Sequence, residues 1–176
     1  DLAEMRSTLK SMLANMGVQV METVTNGEEA LAKLAFNQFD IIFSDYELGR
    51  GKDGQQILEE VRHSGLIPAS TVYIMVTAAQ TMEMVMGALE FEPDGYIAKP
   101  VTLEILRTRL NRIIRTKDVY QEINHAIDRK DINGALEACN RLAVENPKFA
   151  LPAYRIKGKL LLNENRVEEA RDIYDT

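Results

Sequence analysis

A chain of 176 residues, 45% hydrophobic and 27% charged, has room for one large or two small globular domains, and that composition excludes a disordered chain. Its net charge of -6 argues against nucleic acid held over a broad surface, because phosphate contacts need a basic patch. The single cysteine, Cys139, excludes a disulfide within the chain and fits a reducing cytoplasm, and no apolar run approaches the roughly 18 residues of a membrane span.

Met5, Leu9, Met12, Leu13 and Met16 recur at helical spacing over 5–16, and Gly17 stops that helix. The β-rich run VQVMETV (18–24) predicts a strand, with Asn26-Gly27 as the turn after it. Ala30, Leu31 and Leu34 predict a second helix. DIIFSD (40–45) is a nearly continuous apolar run ending in an acid, the pattern of a strand buried on both faces. A Gly-rich loop, GRGKDG (49–54), leads to a helix with Ile57, Leu58 and Val61 that ends near Gly65. TVYIMVT (71–77) predicts another buried strand, 80–91 a Met-rich helix, and Pro93-Asp94-Gly95 a break. YIAKP (96–100) is a short strand closed by proline, and Leu103, Leu106, Leu110, Ile113 and Ile114 mark a further helix. Strands alternating with helices predict an α/β domain with a parallel sheet. From about residue 118 to 176 only helix is predicted. With neither Gly nor Pro over 115–120, the helix from 102 is expected to run on into the second domain. Arg107, Arg109, Arg112 and Arg115, with Lys117, read as a solvated helix face.

In open α/β sheets, function sits beyond the carboxyl ends of the strands. There the strands deliver Asp45, Thr77 followed by Ala78 and Ala79, and Lys99 before Pro100, while Asp1 precedes the first helix. Carboxylates at that edge suit a hard divalent cation such as Mg²⁺, which takes one or two of them beside waters and phosphate oxygens. Thr77 and Lys99 could bond the oxygens of a phosphoryl group, and Asp45 could act as its nucleophile.

The segments DLAEMR (1–6), IIFSDYEL (41–48), DG (53–54), VTAA (76–79) and DGYIAKP (94–100) resemble the receiver domain of bacterial two-component response regulators over residues 1–117. The resemblance implies a flavodoxin-like, doubly wound fold with five parallel strands in the order 2-1-3-4-5. It implies Asp45 as phospho-acceptor, Asp1 as the second metal-binding acid and Glu47 as a backbone carbonyl ligand of Mg²⁺. It also implies Thr77 as switch hydroxyl, Tyr96 as switch aromatic, Lys99 as the phosphate-contacting lysine and a cis Lys99-Pro100 bond. Two departures stand out. The loop after Asp45 has Gly49 where proline is common and is longer by one residue. The strand that should precede Asp1 is not in the chain, so the chain is expected to be a fragment or to lack its beginning.

The second region, 118–176, carries a weak repeat. Asp131-Ile132-Asn133-Gly134-Ala135-Leu136 resembles Arg166-Val167-Glu168-Glu169-Ala170-Arg171, which sets Ala135 and Ala170 35 residues apart. That is close to the 34 of a tetratricopeptide (TPR) repeat. Pro147, Tyr154 and Gly158 fall where that family favours Pro, an aromatic and Gly, whereas Ile123 replaces the Gly of the first repeat. The likeness implies an all-α repeat domain whose second repeat stops within a helix, so the parent protein is expected to continue. Cys139 falls at a core position of the repeat.

The function expected is two-component signal transduction: phosphorylation of Asp45 by a histidine kinase or phosphotransfer protein, switching protein–protein interaction through the helical repeats. Catalysis beyond self-phosphorylation and autodephosphorylation is not expected. Homodimerisation, a cytoplasmic location, an unidentified protein bound by the repeats, and no direct nucleic acid or membrane contact complete the expectation. The alternatives are an Asp-nucleophile phosphotransferase or hydrolase, disfavoured because Glu47 stands where an Asp acid/base is wanted, and a transcription regulator acting through a DNA-binding partner. A histidine phosphotransfer role for His125 is weaker still, and His63 reads as a solvated helix end.

Overall fold

A computed structural model of the chain describes residues 2–49, 51–78 and 92–174. Asp1 and the helix expected over 80–91 therefore lie outside the described residues. The chain divides into two compact units, Asp1–Asp118 and Val119–Thr176.

In the first unit, helices α1 (Leu2–Asn15), α2 (Gly27–Leu34), α3 (Gly54–His63) and α4 (Leu103–Val119) surround strands β1 (Ile41–Asp45), β2 (Val72–Ala78) and β3 (Gly95–Lys99). The strands are parallel in the order β1-β2-β3, with Asp45 opposite Val76 and Ala78 opposite Lys99. Local chemistry sets the helix starts. The Asn26 side chain accepts from the Glu29 amide at the start of α2, and Asp53 and Gln56 form a reciprocal capping box on α3. On one face of the sheet Ile74 and Ile97 pack with Leu13 of α1 and with Leu106, Leu110 and Ile113 of α4. On the other, Tyr73 and Met75 pack with Leu34 of α2 and with Ile57, Leu58 and Val61 of α3.

The five-stranded sheet is corrected to three strands among the described residues. VQVMETV (18–24) is not a strand: it forms no ladder, and Val20 is 85% exposed. A β-rich sequence without a ladder partner has nowhere to place its backbone hydrogen bonds except water. The expectation that β1 is buried on both faces is corrected as well. Ile41, Ile42 and Phe43 are only half-buried, whereas β2 is buried from Val72 to Thr77. A cavity of about 140 Å³ lies beside β1, lined among others by Leu9, Val24, Ile42, Phe43 and Asp45.

Helix α4 ends at Val119, and Tyr120 (φ −96°, ψ 7°) stands between it and α5 (Gln121–Asp128). The second unit continues with α6 (Ile132–Glu145), a 3-10 turn (Pro147–Phe149), α7 (Ala150–Asn163) and α8 (Val167–Tyr174). Ile123, Cys139, Leu142 and Ala153 form one of its apolar clusters, and Ala126, Ala135, Leu161 and Ala170 another. Among the described residues no helix is long and apolar enough to cross a membrane.

Candidate functional site

Parallel register brings the ends of three strands to one edge. Asp45 is the last residue of β1, Thr77 stands one residue beyond Val76 on β2, and Lys99 is the last residue of β3. Lys99 Nζ donates to Asp45 Oδ2 at 2.6 Å, so two of the expected residues, 54 positions apart in sequence, form one ion pair. Their side chains are 31% and 12% exposed, in the order lysine, aspartate. The Glu47 amide donates to Asp45 Oδ1 at 3.1 Å, which leaves lone pairs of both oxygens for other partners.

Thr77 lies at the same edge, but among the described residues no hydrogen bond joins it to Asp45. It is 2% exposed, and among the described residues its hydroxyl makes one long contact, 3.4 Å, with the Ala78 carbonyl. Tyr96 is half-buried against the cluster that holds Tyr46, and burial, helped by the charge of Glu92, raises its phenol pKa. The Lys99-Pro100 bond is cis, as the family resemblance implies. Gly49 and Gly51 take positive φ, so the loop after Asp45 turns at its glycines without the proline common in such loops.

Several residues at this site escaped the sequence reading. Gly54 packs so closely that a Cβ there would stand 2.2 Å from the Asp45 carbonyl oxygen and 2.9 Å from Ser44 Oγ. Ser44 itself is buried and its hydroxyl donates to the Asp45 carbonyl at 3.2 Å. Tyr73 is fully buried, and its hydroxyl donates to the Gly54 carbonyl at 3.1 Å. The available signal was a phenol inside the otherwise aliphatic run VYIMV, because a buried hydroxyl must find a partner.

Residues 1–111 match the response regulator receiver domain family. The chain belongs to that family. The chemotaxis protein CheY-3 of Vibrio cholerae is 28% identical over 113 residues, covering 64% of this chain and 85% of that protein. The chemotaxis protein CheY of Pseudomonas aeruginosa is 27% identical over 113 residues, covering 64% and 90%. Among solved structures, a two-component response regulator from Clostridium difficile is similar at 28% identity and a TM-score of 0.53, covering 64% of this chain and 88% of its own. As a receiver, this protein belongs to two-component signalling, which implies a histidine kinase or phosphotransfer protein upstream. Receivers of the CheY kind generally are not enzymes, and receivers generally bind Mg²⁺ for phosphorylation.

The donor chemistry here suits that ion in part. Mg²⁺ takes one or two carboxylates and completes its shell with water and phosphate oxygens, which Asp45 and the Glu47 carbonyl can begin. Among the described residues, no three His, Cys, Asp or Glu side chains gather as a metal cluster. The basic residues of α4 divide in two: Arg107, Arg109, Arg112 and Arg115 are exposed, whereas Lys117 turns inward to Asp94, with Nζ 2.7 Å from Oδ1.

Proposed function

We propose that Asp45 is the phospho-acceptor of this receiver and that the helical unit carries its output to another protein. The observation that carries the reading is the Asp45–Lys99 pair at the carboxyl edge of the sheet. A carboxylate that keeps lone pairs available can attack phosphorus, and an ammonium already at 2.6 Å can follow the charge onto the incoming phosphoryl oxygens. Asp45 and the Glu47 carbonyl would hold Mg²⁺, with Asp1 as the second acid. Bound there, the ion would neutralise phosphate oxygens during transfer.

The switch rests on Thr77 and Tyr96. Among the described residues the Thr77 hydroxyl has one long contact to give up, so a phosphoryl group on Asp45 would draw it over, and Tyr96 would move into the space released. Two states separated by a few kcal/mol suffice for such a device. A homodimer through α4, whose exposed face bears Arg109 and Arg112, would be one readout.

For the output unit, a TPR-like protein-binding role is supported by equivalence of position. Ala135 and Ala170 are each the fourth residue of their helices, α6 and α8, and are 0% and 1% exposed. Small residues at matched sites let paired helices approach, and Gly158 serves α7 in the same way, since a Cβ there would meet the Tyr174 ring at 2.5 Å. Phosphoryl uptake from acetyl phosphate with Mg²⁺, mapped by mass spectrometry in wild type and Asp45→Asn, tests the acceptor directly. Labelling confined to the Asp45 peptide and lost in the variant is expected; equal labelling of both would overturn it.

A further inference from the structure

Directly behind Asp45 lies a buried polar cluster that the acceptor chemistry does not use. Tyr73 stands second in β2, between Val72 and Ile74, and is 0% exposed. An aliphatic side chain would fill that layer without the cost of burying a hydroxyl. Its phenol instead crosses to the first residue of α3 and donates to the Gly54 carbonyl at 3.1 Å. The Gly54 amide donates to the Tyr46 carbonyl at 2.9 Å, one residue past Asp45. Gly54 thus ties the far end of the loop after β1 back to its beginning, and Tyr73 ties Gly54 to the sheet. The contact with the acceptor is immediate, because Gly54 leaves no room even for a methyl group beside the Asp45 carbonyl oxygen. Ser44, 8% exposed, closes the cluster from the strand side, with its hydroxyl on the same carbonyl. Burial pushes the Tyr73 phenol up to about 12, with an interaction from Ser44 acting the other way, so the hydroxyl keeps its proton through the physiological range.

We infer that Tyr73 is a positioning residue for Asp45: its hydroxyl, acting through Gly54, holds the acceptor's backbone and the loop after it in one conformation. The inference rests on the reading of Asp45 as acceptor, but the restraint itself is separately measurable. The direction of the Asp45 carboxylate follows from its backbone, and small misplacements of a reacting group are costly to rate. Without the hydroxyl, Gly54 loses its tie to the sheet and the Asp45 carbonyl its fixed neighbour. Binding of a phosphodonor does not involve Tyr73, so the loss falls on the transfer step.

Tyr73→Phe in the full chain removes the hydroxyl and keeps the ring. Hydrogen exchange at the Tyr46, Glu47 and Gly54 amides is expected to quicken about ten-fold, the equivalent of one net hydrogen bond, while amides of β3 and α4 keep their wild-type rates. With acetyl phosphate and Mg²⁺, the plateau rate of uptake on Asp45 is expected to fall about ten-fold at an unchanged half-saturating donor concentration. Unchanged exchange at those three amides, or an equal rise across β3 and α4, overturns the inference. So does a wild type that labels and a variant that labels at the same plateau rate. A wild type that takes up no phosphoryl group refutes the acceptor reading instead, and the exchange pattern then decides the role of Tyr73 alone.

Discussion

Two aspartates sit at opposite ends of the sheet, each bound to a lysine, and they differ in how completely they are satisfied. Asp45, at the carboxyl edge, is 12% exposed and pairs with Lys99; Asp94, at the amino edge, is 19% exposed and pairs with Lys117. Burial therefore does not separate them. Among the described residues, Asp45 accepts from Lys99 and the Glu47 amide. Asp94 accepts from Lys117 at 2.7 Å, the Tyr73 amide at 2.7 Å and Arg62 at 3.2 Å. Two cations and a strand amide make Asp94 a joint between α3, β2, β3 and the last turn of α4. One cation and one loop amide leave Asp45 lone pairs for other partners. A buried carboxylate crowded with donors is structural; one held by few is available for chemistry.

The largest difference expected between the two is in stability. Asp94→Asn leaves Arg62 and Lys117 facing a neutral amide in a half-closed site, and removing one member of such a cluster costs about 3 kcal/mol. Asp45→Asn leaves Lys99, which is 31% exposed and stays hydrated, at a cost under about 1 kcal/mol. Urea unfolding of the two variants measures the contrast, and equal losses would erase it.

Tyr73 links the two ends, with its amide on Asp94 and its phenol on Gly54 beside Asp45. Its folded pKa of about 12 lies above the unfolded value of 10.0, so the neutral form is favoured in the folded state. The stability this contributes is fully present below pH 10 and is lost as pH rises through 12. The loss amounts to about 2–3 kcal/mol for two pKa units. Burial raises the pKa values of Cys139, Tyr96 and Tyr120 too, and the stability lost there is common to both proteins. Unfolding followed from pH 9 to pH 12 is therefore expected to show a loss larger in wild type than in Tyr73→Phe by that amount.

The lysines provide a smaller comparison. Lys117→Met leaves Asp94 with Arg62 and the Tyr73 amide and is expected to cost about 1 kcal/mol. Lys99→Met is expected to change stability by less than about 0.5 kcal/mol while slowing phosphoryl uptake. A Lys99→Met variant that labels at the wild-type rate would remove Lys99 from the site.

The same contrast marks what could be read in the sequence. The strand-end positions of Asp45, Thr77 and Lys99 were legible because they follow from short apolar runs, and IIFSD, VYIMVT and YIAK all end at one edge. The strand over 18–24 was misread because propensity speaks for the segment alone, whereas a ladder needs a neighbour. Asp94 looked like a turn residue between Pro93 and Gly95. Its role depends on Arg62 and Lys117, which lie 32 and 23 positions away. Lys117 in turn passed for one more charge on a solvated face. Tyr73 could have been suspected from its type, but nothing local tied it to Gly54, 19 residues earlier.

The central claim is that Asp45, and not another carboxylate of this receiver, takes the phosphoryl group. Intact mass and peptide mapping after incubation with acetyl phosphate and Mg²⁺, on wild type, Lys117→Met and Asp45→Asn, test it most directly. One phosphoryl group on the Asp45 peptide of wild type and of Lys117→Met, and none on Asp45→Asn, is the predicted result. An Asp45→Asn chain labelled to the wild-type extent, or a wild type that takes up none, would contradict it.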